Sequence, residues 1–373
     1  MELRPDDWLR NVSDAGAGTA FPSPVSLQWS SALDGLAEQW AAVAGSVGNI
    51  FATWEWISTW WRHFGRDQEL RVAVAWAADG RPAAIVPLYV SARRPLMLLR
   101  FLGHGPGDWQ GPIHASGDAA LAGSATVEAL SQMDDWDLLI AEHMRPRQPW
   151  ASRVGATVAR RAAFPILTFK GRSWEELLAQ RSRNFRDQAR RRERRLARAH
   201  DLRYRLSDAQ HLDQDMRLLF ALHDARWQDE ASGALAVERQ RFHLDFARLA
   251  LGRGWLRLWV MELDQQPVAV WYGFRYADVE WYYQAGWDPA FASESVGFVL
   301  LTHTIRAAMQ DGASAYWFLR GGEAYKARFA EEDAGSETLL VPRNVRGRLA
   351  AAGATYLDHI PPAAKEWVKK LAG

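Results

Sequence analysis

The chain has 373 residues, 48% of them hydrophobic, and a formal net charge of +1. That length exceeds one ordinary hydrophobic core and fits two domains, while the near-neutral charge gives no global attraction for nucleic acid or an anionic membrane. The absence of cysteine excludes disulfides, thiolate nucleophiles and cysteine-based zinc sites, and fits a reducing, cytoplasmic setting.

The opening residues MELRPDDWLR lack the apolar centre of a secretory leader, and no apolar run reaches the length of a bilayer-spanning helix. Residues 33–64 read as two helices separated at 45–49. Spacings of three and four put Trp54, Ile57, Trp61 and Phe64 on one helical face. This face reads as core packing, although the twenty tryptophans could also line a groove for a sugar or acyl chain. A hairpin follows, with alternating apolar positions over 70–77 and 83–90 around the turn Asp79-Gly80. A strand at 97–102 runs into the glycine-rich loop 103–112, followed by a helix at 119–133 and a buried strand at 136–141. The first half is therefore mixed α/β. Pro106 and Pro112 interrupt the loop and no helix starts directly after it, which argues against a nucleotide phosphate cradle. The loop reads as a structural turn or as a substrate-contacting segment carrying His104, Asp108 and Trp109.

From Trp174 the character changes, since residues 181–205 hold eleven arginines against three acids. Leu178, Phe185, Ala189 and Leu196 give this stretch the narrow apolar stripe of a long helix. Two readings stand. The helix is a landing site for a phosphorylated partner (coenzyme A, an acyl carrier protein, tRNA or anionic lipid), or it is a solvated linker whose arginines pair with nearby acids.

A strand at 202–206 and helices at 212–228 and 238–251 come next, then strands at 255–263, 267–275 and 279–285 that read as an antiparallel meander. Asp288-Pro289 ends the third strand, and Ser293 or Ser295 can cap the apolar helix at 299–309. The amino end of that helix offers unpaired amides to an anion such as a diphosphate, and Gly297 permits close approach to the backbone. Residues 316–329 then combine a strand, a glycine break and a polar cluster. Lys326 stands out there, being one of five lysines against forty arginines, and suits a need for a compact ammonium.

Other chemistries lack support. There is no His-Glu-x-x-His pattern, no P-loop and no Gly-x-Ser-x-Gly elbow, and the ten histidines show no ligand spacing, so no metal is expected. The tail 361–373 sets Trp367, Val368 and Leu371 opposite lysines, which suits docking on the protein's own surface or peripheral membrane contact.

Five stretches carry a family resemblance in order: SRNFRDQARRRERRLAR, LFALHDARW, GWLRLWVMELDQQPVAVWYGF, YYQAGWDPAFASESVGFVLLTHTIRAAMQDGA and YWFLRGGEAYKARF. Together they make residues 181–329 resemble the BioF2-like (CelD/BcsL) acetyltransferase group of the GNAT superfamily. WEWISTWWRHFG and LRFLGHGPGDWQGPI extend a weaker likeness into the first half. The resemblance implies an α/β (α+β) fold of tandem GNAT-like domains, each a mixed, mostly antiparallel sheet flanked by helices, similar to Fem-type peptidoglycan aminoacyltransferases. It divides the chain into an acceptor-side domain at 25–170, a basic linking helix at 171–200, an acyltransferase domain at 201–345 and a helical tail at 346–373.

By the same resemblance, an acyl-CoA or acyl carrier protein thioester lies between the fourth and fifth strands, here 279–285 and 316–319. Its diphosphate is expected on Ser295, Val296, Gly297 and Phe298, with Arg320. Trp317 and Gly322 depart from the family, which often has acidic residues at those positions. Without cysteine, the simplest chemistry is direct attack by an amine or hydroxyl of a small-molecule or saccharide acceptor. Glu323 or His223 would be base, Lys326 would stabilise the oxyanion, and Tyr325 would donate to the leaving sulfur. The alternatives are a Fem-like transferase using aminoacyl-tRNA, disfavoured by the neutral net charge, and a noncatalytic module in polysaccharide or lipid assembly.

Overall fold

A computed structural model describes residues 26–45, 47–93, 95–115, 117–226 and 234–359. The described chain forms two compact units: residues up to Ala162 together with those from Gly335 onward, and residues from Ala163 to Ala334. Each is a mixed sheet with helices packed on it, so the α/β (α+β) expectation holds. No helix among the described residues is long and apolar enough to cross a membrane. The amino-terminal stretch and the tail 361–373 lie outside them.

The first unit opens with β1 (Leu27–Ser30), α1 (Ala37–Ala44) and α2 (Trp54–Phe64), then β2 (Glu69–Trp76), β3 (Pro82–Arg93) and β4 (Leu96–Phe101). The short β5 (Ile113–His114), α3 (Ala119–Gln132), β6 (Leu138–Met144) and β7 (Thr157–Ala162) follow. The β2–β3 hairpin is antiparallel, and Gly80 takes the positive φ that its turn requires. Thr53 caps α2 by accepting from the Trp56 amide. Its buried face is not the one the spacing suggests: Trp56, Ile57 and Trp60 are enclosed, whereas Trp54, Trp61 and Phe64 are half-buried. The apolar side chains cover about half of this helix, with Glu55, Ser58, Thr59, Arg62 and His63 on the other half, and tertiary packing encloses only part of the apolar arc.

The second unit contains β8 (Pro165–Thr168), α4 (Trp174–Ala179), α5 (Arg183–Ala199), β9 (Leu202–Leu206), α6 (Leu212–Arg226), α7 (Ala234–Gly252), β10 (Leu256–Leu263) and β11 (Gln266–Tyr276). It continues with β12 (Val279–Trp287), α8 (Val296–Gln310), β13 (Ala315–Trp317), α9 (Ala324–Ala327) and β14 (Glu332–Asp333). The strand order is β14-β8-β13-β12-β11-β10-β9. The meander β10–β11–β12 is antiparallel as the alternation predicts. The basic stretch is two helices rather than one. Ser182 breaks it by accepting from the Phe185 amide, and a Ser173–Glu176 capping box starts α4. Its stripe survives the break, with Leu178, Phe185, Ala189 and Leu196 all buried against residues of α8 such as Val296 and Leu300.

The chain then returns to the first unit as β15 (Ser336–Pro342) and α10 (Val345–His359). There β15 pairs with both β6 and β7, completing the order β1-β2-β3-β4-β6-β15-β7, with β5 on β3. Each sheet contains one short parallel pair, β4 with β6 and β12 with β13, bridged in sequence by a helix. A core of Val86, Leu88, Phe101, Ala125, Leu139 and Trp150 holds the first unit.

Strand β12 carries one acid into the sheet. Glu280 is 2% exposed, and its nearest cation is Arg275 at 3.7 Å. Burial pushes its carboxyl up to about 8, against the opposing pull of Arg257 and Arg275. Because the native state holds this proton more tightly than the unfolded chain, the contribution is complete below the usual value of 4.5 and is lost as pH rises towards 8. Glu280→Gln is therefore expected to gain on the wild type between pH 5 and 8, by at most about 1.4 kcal/mol per pH unit in urea-unfolding free energy. A difference independent of pH would contradict this. Gly273 faces the β12 backbone so closely that an added Cβ would lie 2.1 Å from the Trp281 carbonyl oxygen and 2.3 Å from the Trp271 ring. Gly273→Ala should lower unfolding free energy by about 1–3 kcal/mol; an unchanged urea midpoint would refute the close approach.

Candidate functional site

The site grows from a local failure of strand pairing. β12 and β13 are paired only through Val279–Ala315, Glu280–Tyr316 and Trp281–Trp317. Beyond that point the Phe318 amide donates to the Pro165 carbonyl of β8, and the Gly321 amide donates to Ala163. Leu319 has a φ of 57°, a left-handed conformation that ends the strand two residues earlier than its apolar pattern suggests. Meanwhile β12 runs on to Trp287, paired on its other edge with β11. The two strands therefore part after Trp281 and Trp317.

A bulge accompanies the parting. Tyr272 lies opposite Gln284 and Gly273 opposite Tyr282, leaving Tyr283 as the extra residue of β12. The bulge sends consecutive side chains to the helices α6 and α7. Tyr283 meets His243 Nε2 through its hydroxyl at 3.2 Å, and the Gln284 amide donates to His223 Nε2 at 2.8 Å. That bond leaves the proton of a neutral His223 on Nδ1, which faces Asp224 at 3.6 Å. His243 is 6% exposed, and burial pulls its pKa down to about 3, so it is neutral. Sequence reasoning missed His243. Its only signal was an imidazole between Phe242 and Phe246 on an otherwise apolar helical face.

On the opposite side of the same stretch of β12, the Tyr325 hydroxyl of α9 donates to the Tyr282 hydroxyl at 3.2 Å. Tyr282 also lies near Phe318, with centroids 6.3 Å apart. Lys326 is 4% exposed, and its Nζ bonds Glu323 Oε2 and the Arg320 carbonyl, each at 2.9 Å. These bonds tie the loop after β13 to α9 and engage Glu323 with a neighbouring ammonium. The structure thus places His223 and Tyr325 on either face of the parted strand, and groups Glu323, Lys326 and Arg320 in the loop beside it.

The amino end of α8 lies at the end of β12. Ser295 occupies the cap position, but with φ 60° and no side-chain hydrogen bond, so the expected serine cap does not form. A serine cap needs an extended backbone. Capping occurs before the preceding 3-10 segment, where Asp288 accepts from the Ala290 amide. Gly297 is also explained differently from the expectation: an added Cβ would lie 2.9 Å from the Trp287 indole, so the glycine admits Trp287. The helix start still leaves its first amides, those of Val296 and Gly297, without intrahelical acceptors.

Arginines surround this end. The guanidinium of Arg192 lies 4.9 Å from the Phe298 ring, and that of Arg328 lies 5.1 Å from the same ring and 5.2 Å from Phe185. Arg195 donates to the Ser293 carbonyl at 3.3 Å. Burial and the like charges of Arg328 and Arg195 lower the pKa of Arg192. Among the described residues no carboxylate pairs with these three. Elsewhere on the basic stretch the acids are engaged: Arg181 pairs with Glu331, Arg190 with Glu175, and Glu193 with Arg306 of α8. The reading of arginines paired with nearby acids therefore holds for Arg181 and Arg190.

The loop 103–112 belongs to the first unit. His104 Nδ1 meets the Tyr89 hydroxyl at 2.6 Å, and its carbonyl accepts from the Trp60 indole at 3.0 Å. Asp108 is 8% exposed. Trp109 is 7% exposed; its indole donates to the Gly335 carbonyl at 3.1 Å and its own carbonyl accepts from Asn49 Nδ2 at 3.0 Å. The loop is thus built into the unit rather than projecting from it. No group of His, Asp or Glu among the described residues is arranged to hold a metal ion.

Comparison with known proteins fits this geometry. Residues 183–327 match the family described as an acetyltransferase (GNAT) domain. Among solved structures, FemX superposes with a TM-score of 0.61 at 10% identity, over 84% of this chain and 98% of that one. A conserved protein of unknown function from Bacteroides thetaiotaomicron VPI-5482 gives 0.53 at 11% identity, over 84% and 99%. L-PGS from Bacillus licheniformis gives 0.50 at 11% identity, over 86% and 95%. No curated protein matches the sequence. At such identities the structural likeness speaks for the fold alone. Residues 183–327 match a GNAT-type acetyltransferase domain, and the chain as a whole shares the fold of FemX.

Proposed function

We propose that this protein is an acyltransferase that moves an acyl group from a pantetheine-linked thioester, acyl-CoA or an acyl carrier protein, to an amine or hydroxyl of a small-molecule or saccharide acceptor. Its motifs resemble the BioF2-like (CelD/BcsL) group, and its lack of cysteine suits the cytoplasm. The observation that carries this reading is the three-residue pairing of β12 with β13, which leaves the edge of β12 from Tyr282 to Trp287 without a β13 partner. Extended backbone without a strand partner offers amides and carbonyls to a pantetheine arm, much as a strand would. The amino end of α8, with Arg192, Arg195 and Arg328 beside it, supplies positive charge for the diphosphate.

In the reaction, the acceptor nitrogen or oxygen bonds to the thioester carbonyl carbon, the carbon–sulfur bond breaks, and the leaving sulfur takes a proton from the Tyr325 hydroxyl. The acceptor's own proton passes to a base. His223 suits this role better than Glu323, because the Glu323 carboxylate already faces the Lys326 ammonium at 2.9 Å. The His223 lone pair is held by the Gln284 amide, which the acceptor would displace. Lys326 acts on the developing oxyanion, and His104, Asp108 and Trp109 belong to the acceptor side. A second reading, transfer from aminoacyl-tRNA, draws on the arginines beside α8 that no carboxylate pairs with among the described residues. It would show as binding of tRNA that weakens steeply with salt.

Thermal unfolding with coenzyme A and acyl-CoAs of increasing length should show saturable stabilisation. Replacing Arg192 and Arg328 together by Gln should weaken that binding about 10- to 100-fold. An unchanged affinity removes the arginines from the donor site, and no stabilisation by any thioester removes the donor class. Thiol release that depends on added acceptor amines separates an enzyme from a binding module. Lys326→Met is expected to slow that release by about 10²- to 10³-fold, and a loss within about threefold would end its assignment.

A further inference from the structure

The first unit repeats the device of the second. β4 and β6 run parallel through only two residue pairs, Leu98–Leu138 and Leu99–Leu139, after which β6 continues to Met144. The residue following β6 is Arg145. Its guanidinium lies 4.4 Å from the centroid of the Trp109 ring and is half-buried. Among the described residues no carboxylate pairs with it. The acid on the end of β6, Glu142, is taken by Arg100 at 3.2 Å, and Asp118 is taken by Arg81 at 2.7 Å. Burial alone pulls the pKa of Arg145 down to about 10.

His114 on β5 adds a second group of the same kind. Burial and the charge of Arg145 both lower its pKa, so it is neutral, and its Nδ1 lies 3.0 Å from the Ala115 carbonyl. The stacking partner is fixed, since Trp109 is held at both its indole and its carbonyl and has a φ of 52°. A desolvated guanidinium without a counter-ion destabilises the fold that contains it, and stacking on an aromatic ring only partly offsets that cost. Residues that cost stability in this way are typical of sites waiting for a ligand.

We propose that Arg145, seated on Trp109 at the end of β6, anchors an oxyanion-binding site in the first unit that takes the carboxylate or phosphate oxygens of a small molecule. That this molecule is the acyl acceptor rests on the function proposed above; the anion site itself does not. The planar fork of the guanidinium matches both groups.

The test uses the whole chain, without any thioester, and follows thermal unfolding in inorganic phosphate or acetate at constant ionic strength. Wild type should gain stability saturably with one of the two anions, and which anion does so identifies the group recognised. Arg145→Met should lose that response, yet unfold at the same or a higher temperature than wild type when no anion is present. Arg145→Lys, which keeps charge without the fork, should bind the anion about 10- to 100-fold more weakly. The proposal is overturned if wild type responds to neither anion, if Arg145→Met keeps the wild-type response, or if Arg145→Lys binds as tightly as wild type. A lower unfolding temperature for Arg145→Met without anion would also overturn it, since the arginine would then be structural. Failure here leaves thioester binding in the second unit untouched, and the reverse holds too.

Discussion

Backbone amides in a sheet must find acceptors, and around residue 317 those acceptors change strand. Up to Trp317 the chain is shared between β12 and β8; from Phe318 its amides belong to the β8 side alone. β12 cannot follow, because the bulge at Tyr283 alters its course while β11 continues to hold its other edge. The opening beside β12 is therefore a product of hydrogen-bond allocation rather than of bulky side chains wedged between strands.

Much of this was legible in the sequence. The meander shows partial apolar alternation, the Asp79-Gly80 turn announces its hairpin, and the stripe from Leu178 to Leu196 marks the buried side of the basic helices. What stayed hidden depends on distant partners. The early end of β13 is set by Pro165, about 150 residues before it, and nothing in the pattern of Phe318 and Leu319 distinguishes a strand from its turning point. The apolar arc of the Trp-rich helix is wider than the face it buries, so spacing alone does not mark which part turns inward. Gly297 invited a ligand by composition, yet Trp287 fills the space beside it. Arg145 left no mark at all, lying in a short run of polar and proline residues that reads simply as a loop.

The charges follow a common logic in both units. Many arginines meet a carboxylate or a carbonyl, which makes them part of the scaffold. At two places, around Phe298 and over Trp109, an aromatic ring lies beside a guanidinium that no carboxylate pairs with among the described residues. A ring supports a guanidinium without neutralising it, so the positive potential survives for something else to use.

The route of the chain also dictates an order of assembly. The second unit is contiguous from Ala163 to Ala334, whereas β7 of the first unit has β15 as its strand partner, and β15 begins only at Ser336. On the ribosome β7 must wait for β15, which is translated only after all of the second unit, whereas the second unit can close first. The usual vectorial sequence, amino-terminal domain before carboxy-terminal domain, is inverted. Loss of β15 would strike the unit whose other strands are all translated before the second unit.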